Sequence, residues 1–313
     1  MRPLLLYCWK PRRWGELLLL GLLCLVLPPA ARAQRKVQVL TRTIEQTLAC
    51  PAGTLVRIRA EKATLRVQGW DKPTVQVVLK LSARHPERTI AERELPAARY
   101  QIARKGSVID LVNYFAVTPG MPPVRSDLRA EYTLMMPTGN PLEIINAYGH
   151  TELADLAGRQ LLTQDFGEVT LHNLRGSLEA TVRYAELTGT NLNCALVCRA
   201  DKSAVQLTGA GGTYAISNAY GSIVLEPTEE LKSAFIDATR TEVTVGVPRL
   251  SQFNYQLTAT QGKLIIPASY TAKRTLTGRN LLDVTNDAKL PLIRVITSYA
   301  PITLQTQPLL VQP

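Results

Sequence analysis

Asn146-Ala147-Tyr148-Gly149-His150-Thr151-Glu152-Leu153 returns eighteen residues later as Gln164-Asp165-Phe166-Gly167-Glu168-Val169-Thr170-Leu171. The first unit runs on to Leu156 and Gly158, the second to Leu174 and Gly176. Tyr184-Ala185-Glu186-Leu187 opens a third that reaches Leu192 and Cys194. A degenerate fourth starts at Lys202-Ser203-Ala204-Val205-Gln206-Leu207 and ends at Gly212. Asn218-Ala219-Tyr220-Gly221-Ser222-Ile223-Val224-Leu225 restores the frame, and Ala238-Thr239-Arg240-Thr241-Glu242-Val243 is a weak copy. The lead positions 148, 166, 184, 202, 220 and 238 therefore step by eighteen without insertion. A fixed period of this size marks stacked supersecondary units, each one rung of a solenoid. Val169, Leu171, Leu174, Ile223 and Leu225 are expected to point inward. The Gly after the lead residue and the Gly ten places on sit where the chain must turn, through positive φ or close backbone approach.

Outside the repeat, period-2 alternation persists, as in Leu55-Val56-Arg57-Ile58-Arg59 and Val75-Gln76-Val77-Val78-Leu79. That alternation predicts half-buried strands. Pro86 and Pro96 bound Glu87 to Ala98, the one helix-like stretch, which reads as a loop or short turn. Beyond residue 253 the strict period fades, but Gln261-Gly262-Lys263-Leu264 and Tyr299-Ala300-Pro301-Ile302 echo it. The fold class expected is all-β: a β-solenoid with 18-residue rungs, right-handed, preceded by a β-rich region. Thr118-Pro119-Gly120-Met121-Pro122-Pro123 is the most loop-like stretch. Residues 34–125 form the N-terminal β region or the first irregular rungs, and 126–313 the repeat domain.

Residues 1–33 have the layout of a cleaved signal peptide. Arg2, Lys10, Arg12 and Arg13 are followed by an apolar run from Leu17 to Leu27 and by Ala31-Arg32-Ala33. The run is about half of the roughly 20 residues a membrane span needs. The mature chain is thus expected to be soluble and exported: periplasmic, secreted or at the cell surface. Cys8 and Cys24 leave with the leader, and Cys50, Cys194 and Cys198 remain. An odd count in an oxidising compartment means a free thiol or an intermolecular bond. Cys194 and Cys198 are too far apart on an extended strand to bridge without a bend. Buried free thiols are the plainer expectation.

Of 313 residues, 46% are apolar and 19% charged, a globular composition and not a disordered one. The net charge of +11 is unevenly placed. Residues 34–130 carry 17 basic and 8 acidic residues, whereas 131–313 carry 14 and 16. Export disfavours a nucleic-acid partner. The basic end instead suits an anionic polymer, a lipid surface or an acidic protein.

Three columns arise if equivalent positions stack. The aromatic column is Tyr148, Phe166 and Tyr184, then Lys202, then Tyr220. It either binds sugar rings or a protein, or serves only to stabilise the stack. Beside it run His150, Glu168, Glu186, Ala204 and Ser222. Carboxylates one rung apart can form an acid pair or hold a hard cation, but splayed, solvated side chains are the simpler expectation. Asp155, Asn173 and Asn191 fit a structural corner, since these residues tolerate left-handed backbone. Gly209-Ala210-Gly211-Gly212 opens no helix, so it is no phosphate cradle. No catalytic or cofactor motif stands in the sequence, and a count of three His argues against a His-rich metal site.

Leu65-Arg66-Val67-Gln68-Gly69-Trp70-Asp71, Tyr132-Thr133-Leu134-Met135-Met136-Pro137 with Leu142-Glu143-Ile144, and the following Gly-x-[Val/Ile/Thr]-x-Leu steps together resemble the DUF4097 family of adhesin-like bacterial envelope proteins. The resemblance spans most of 40–305 and implies a β-solenoid in an exported protein, with no established catalytic residues to carry over. The expected role is non-enzymatic: structural, adhesive or ligand-binding, with an envelope glycan or another envelope protein as partner. Two alternatives stand beside it. One is a polysaccharide-acting enzyme using Glu168, Glu186 and Arg183. The other is an envelope sensor or partner-binding module that works through the basic N-terminal region.

Overall fold

The computed structural model of the chain describes residues 37–116, 123–276 and 280–306. The leader and the stretch from Thr118 to Pro122 lie outside them. The protein is all-β. Its strands are β1 Gln38–Ala49, β2 Leu55–Glu61, β3 Ala63–Trp70, β4 Thr74–His85, β5 Ala98–Lys105, β6 Val108–Phe115, β7 Asp127–Pro137, β8 Leu142–Ala154, β9 Arg159–His172, β10 Arg175–Thr190, β11 Asn193–Asp201 and β12 Ala204–Val247. There follow β13 Asn254–Thr260, β14 Leu264–Ile265, β15 Arg274–Leu276, β16 Asn280–Val284, β17 Leu292–Ser298 and β18 Ile302–Thr306.

The sequence period reappears as strand register. β8 lies parallel to β9 with Leu142 opposite Gln160 and Ala154 opposite His172. β9 meets β10 with Glu168 opposite Glu186, and β10 meets β11 with Arg175 opposite Asn193. β12 continues the step against both β10 and β11, with Glu186 opposite Ala204 and Asn193 opposite Gly211. Each pairing is offset by eighteen, so equivalent residues stand side by side. Alternate side chains point into one apolar core that runs from Cys50 to Leu304. Val169, Leu171, Leu174, Ile223 and Leu225 are all buried in it, as expected.

Past β12 the stacking is no longer sequential. β17 lies parallel between β12 and β13, and β18 between β12 and β14. At the other end β2 is held between β6 and β8, and β3 between β7 and β8. Antiparallel strands lie outside these: β4 pairs with β1 and β7, β5 with β6, and β16 with β13 and β15.

Two expectations need correction. The loop expected between Pro86 and Pro96 is a short helix, α1 Arg88–Glu94, running into a 3-10 turn at Leu95–Ala97. Burial of Ile90 and Ala91 favours it, and Ala91 joins Ala83 and Leu128 in a small satellite core. Proline ends this helix without interrupting it, because Pro96 falls in the first positions of the 3-10 turn, where its missing N–H costs nothing. The weak sixth copy is also misplaced. The left-handed corner residue is Arg240, twenty places after Tyr220, and not Ala238. The two extra residues fall between Leu225 and Ala234, where Glu229 and Glu230 are exposed in succession beside Pro227. A proline in a strand run marks such a bulge.

Candidate functional site

One column of corners carries the exposed aromatic residues. Tyr148, Phe166, Tyr184, Lys202, Tyr220, Arg240, Tyr299 and Gln261 all have positive φ, between 48° and 63°. Lys62, φ 48°, precedes Tyr148 in the same column, because Glu61 pairs with Ala147 and Thr64 with His150. The register of β3 with β7 sets Arg129 beside Lys62. Non-glycine residues rarely take this conformation, which costs roughly 1–2 kcal/mol for a residue with a Cβ. Positive φ or close backbone approach was expected at the following Gly; the lead residue itself carries the positive φ, and the Gly meets the close approach. At Gly149 the need is space: a Cβ there would stand 2.0 Å from the Ala63 carbonyl oxygen.

Buried amides two places ahead of the lead residue hold the corner. The Asn146 side-chain N–H donates to the Ala63 carbonyl at 3.1 Å, that of Gln164 to Gly149 at 3.1 Å, and that of Asn218 to Ser203 at 2.9 Å. Val182 replaces the amide in one unit, and there the Ser203 hydroxyl accepts from the Ala185 N–H at 3.2 Å. The second corner column is Asp155, Asn173, Asn191 and Gly209, all at positive φ, as their residue types predict. The Asn173 and Gln68 amides both donate to Asp155 and hold its carboxyl below the usual range.

The aromatic column is a ladder of rings and cations. Tyr148 stacks on Phe166 with centroids 4.8 Å apart and planes 4° from parallel, and Phe166 stacks on Tyr184 at 5.1 Å and 12°. Lys202 lies over Tyr184, 4.8 Å from its centroid, and its ammonium donates to the Tyr184 hydroxyl at 2.9 Å. That contact raises the Lys202 pKa. Arg240 lies over both Tyr220 and Tyr299, at 5.3 and 5.6 Å, and donates to the Tyr220 hydroxyl at 2.5 Å. All five aromatic side chains are exposed, from 40% for Phe166 to 59% for Tyr299. Tyr148, Phe166 and Tyr184 are thus brought together as expected, while Lys202 separates Tyr220 from them. Lys62, Arg129 and Arg240 were not singled out from the sequence. Lys62 and Arg129 lie outside the eighteen-residue period, and the bulge shifts Arg240 off it.

Glu168 and Glu186 stand opposite one another on β9 and β10. His150 Nδ1 lies 3.5 Å from Glu168, whose side chain is 70% exposed. Arg183 is occupied elsewhere, donating to Asp165 through two bonds of 2.6 and 2.7 Å. Cys50, Cys194 and Cys198 are free and buried. Burial pushes the Cys194 thiol up to about 11 and that of Cys198 up to about 12. No helix among the described residues is long and apolar enough to cross a membrane.

No family model matches the chain, and neither does any curated protein. Solved structures do. A candidate adhesin from Bacteroides fragilis is 9% identical, covers 85% of this chain and 97% of its own, and has a TM-score of 0.38. A candidate cell adhesion protein from Clostridium sporogenes is 10% identical over 85% of this chain and 100% of its own, with a TM-score of 0.25. A candidate lipid binding protein from Parabacteroides distasonis is 9% identical over 85% and 97%, with a TM-score of 0.28.

Proposed function

We propose that this chain is an exported, adhesin-like β-solenoid of the DUF4097 type that binds an envelope glycan or envelope protein and performs no catalysis. The observation that carries this reading is the choice of residue in the aromatic column. The Asp155 corner is filled by residues that take positive φ cheaply, whereas the Tyr148 corner is filled by Tyr, Phe, Lys and Arg, which do not. Their side chains are what that column keeps, and the aromatic ones stand in solvent. Parallel pairing at a constant offset of eighteen supports the solenoid, with 34–125 as its first irregular rungs and 126–313 as the repeat domain with irregular C-terminal rungs. We take the coil as right-handed, the hand that parallel crossovers adopt. The basic segment, apolar run and Ala31-Arg32-Ala33 support export with cleavage after residue 33.

A glycan array tests the reading with the chain and a Tyr148→Asn/Tyr184→Asn variant, since Asn keeps the left-handed corner without the rings. Binding that the variant loses is the expected result. Absence of binding to every glycan and to envelope extracts points to a purely structural role. Turnover of any polysaccharide overturns the non-enzymatic part. Lys62, Lys72, Arg99 and Lys105 form no ion pair among the described residues, so these four cations are open to an anionic surface.

A further inference from the structure

The stacked rings turn their faces to one another, which leaves mainly edges for a partner at Phe166 and Tyr184. Phe166 has a ring on each side, Tyr184 lies between Phe166 and Lys202, and Arg240 covers one face each of Tyr220 and Tyr299. Tyr148 differs. Phe166 occupies one of its faces, and no ring or cation contact covers the other among the described residues. Tyr148 borders a cleft of about 280 Å³ with Lys62, Ala63, Thr64, Asp127, Arg129 and Gly149, and the strand register sets Lys62 on the side of Tyr148 away from Phe166.

The charges in the cleft are not equivalent. Arg129 is paired with Asp127 at 2.8 Å. Lys62 makes no ion pair or side-chain hydrogen bond among the described residues, and it sits one strand beyond Tyr148 in the same column. The cleft therefore offers an aromatic face, one uncommitted ammonium, and an ion-paired carboxylate that can still accept hydrogen bonds from hydroxyls. A flat ring with C–H bonds on one face, an anionic substituent at its rim and hydroxyls elsewhere satisfies all three.

We infer that the end of the ladder is a binding site for a uronic acid residue of an acidic glycan. Its pyranose ring stacks on the free face of Tyr148 as the next member of the column. Its carboxylate accepts from the Lys62 ammonium, and its hydroxyls donate to Asp127. This rests on the ligand-binding reading above and narrows it to one cleft and one class of sugar.

The test is calorimetric titration of the full chain with trigalacturonate and with neutral galactotriose. The acidic trimer is expected to bind at least about tenfold more tightly than the neutral one, and more weakly as salt rises. Tyr148→Asn and Lys62→Gln should each weaken it by about tenfold or more, while Tyr299→Asn leaves it unchanged. Matching thermal midpoints confirm that the variants are folded. Equal binding by the wild type and Tyr148→Asn, or loss in Tyr299→Asn, moves the ligand to another part of the chain. That overturns the cleft and spares the ligand-binding reading. Failure of the wild type to bind either trimer also overturns the cleft, and the array then decides the broader reading separately.

Discussion

Gln164 shows how single side chains hold the corners. Its amide is buried and donates to two carbonyls, Gly149 at 3.1 Å and Phe166 at 2.9 Å, while its oxygen accepts from the Thr151 hydroxyl at 2.8 Å. An apolar residue of similar size would fill the space and leave those carbonyls without a partner. An unsatisfied buried polar group costs about 1–3 kcal/mol. Gln164→Leu should therefore lower stability by at least about 2 kcal/mol in urea unfolding, with the m-value unchanged. Nothing in the repeat advertises this role. Asn146, Gln164 and Asn218 recur as polar residues two places ahead of the lead position, but Val182 and Ala200 break the series. Only the placement of Ser203 behind the Ala185 N–H explains how one such gap is tolerated.

At the scale of elements, the register of β8 to β12 was legible because stacking selects like residues at like positions. A step of eighteen in sequence is the same statement as Glu168 opposite Glu186. The ladder follows from that register, and its energy is testable. Phe166 takes part in two ring pairs, each worth about 0.5–1.5 kcal/mol beyond area burial. Phe166→Ala removes both pairs and leaves the positive-φ cost in place, so it should lower the unfolding free energy by about 1–3 kcal/mol, while Phe166→Tyr stays near neutral. What the sequence hid had local causes. The helix α1 is too short to show a period, and its prolines argue against it, yet the surfaces of β1 and β4 stabilise it. The shift to Arg240 depends on a bulge that only burial of Leu231, Ala234 and Ile236 reveals. Lys62 joins the column through strands 86 residues apart in sequence, so no local pattern could have announced it.

Over residues 38–313, the order in which strands stack departs from the order in which they occur. β17 and β18 fill the space between β12 and the β13–β14 segment, with Ile293, Val295 and Ile302 fully buried. A chain ending at Pro291 would lose the strands on which β12, β13 and β14 pair, exposing backbone donors and acceptors together with core surface. Such a chain should lose its cooperative thermal transition, as monitored by circular dichroism, and not merely melt a few degrees lower. The N-terminal arrangement matches, since β2 and β3 are enclosed by strands that follow them in the chain. Both ends are thus fixed by distant partners, while the segment between Gln164 and Asp201 pairs at the constant step. Insertion or deletion of one eighteen-residue unit there would leave each end with its own neighbours and change the ladder by a single side chain. The chain is thereby a ruler, whose number of presented groups can vary by gene duplication or loss without redesign of either terminus.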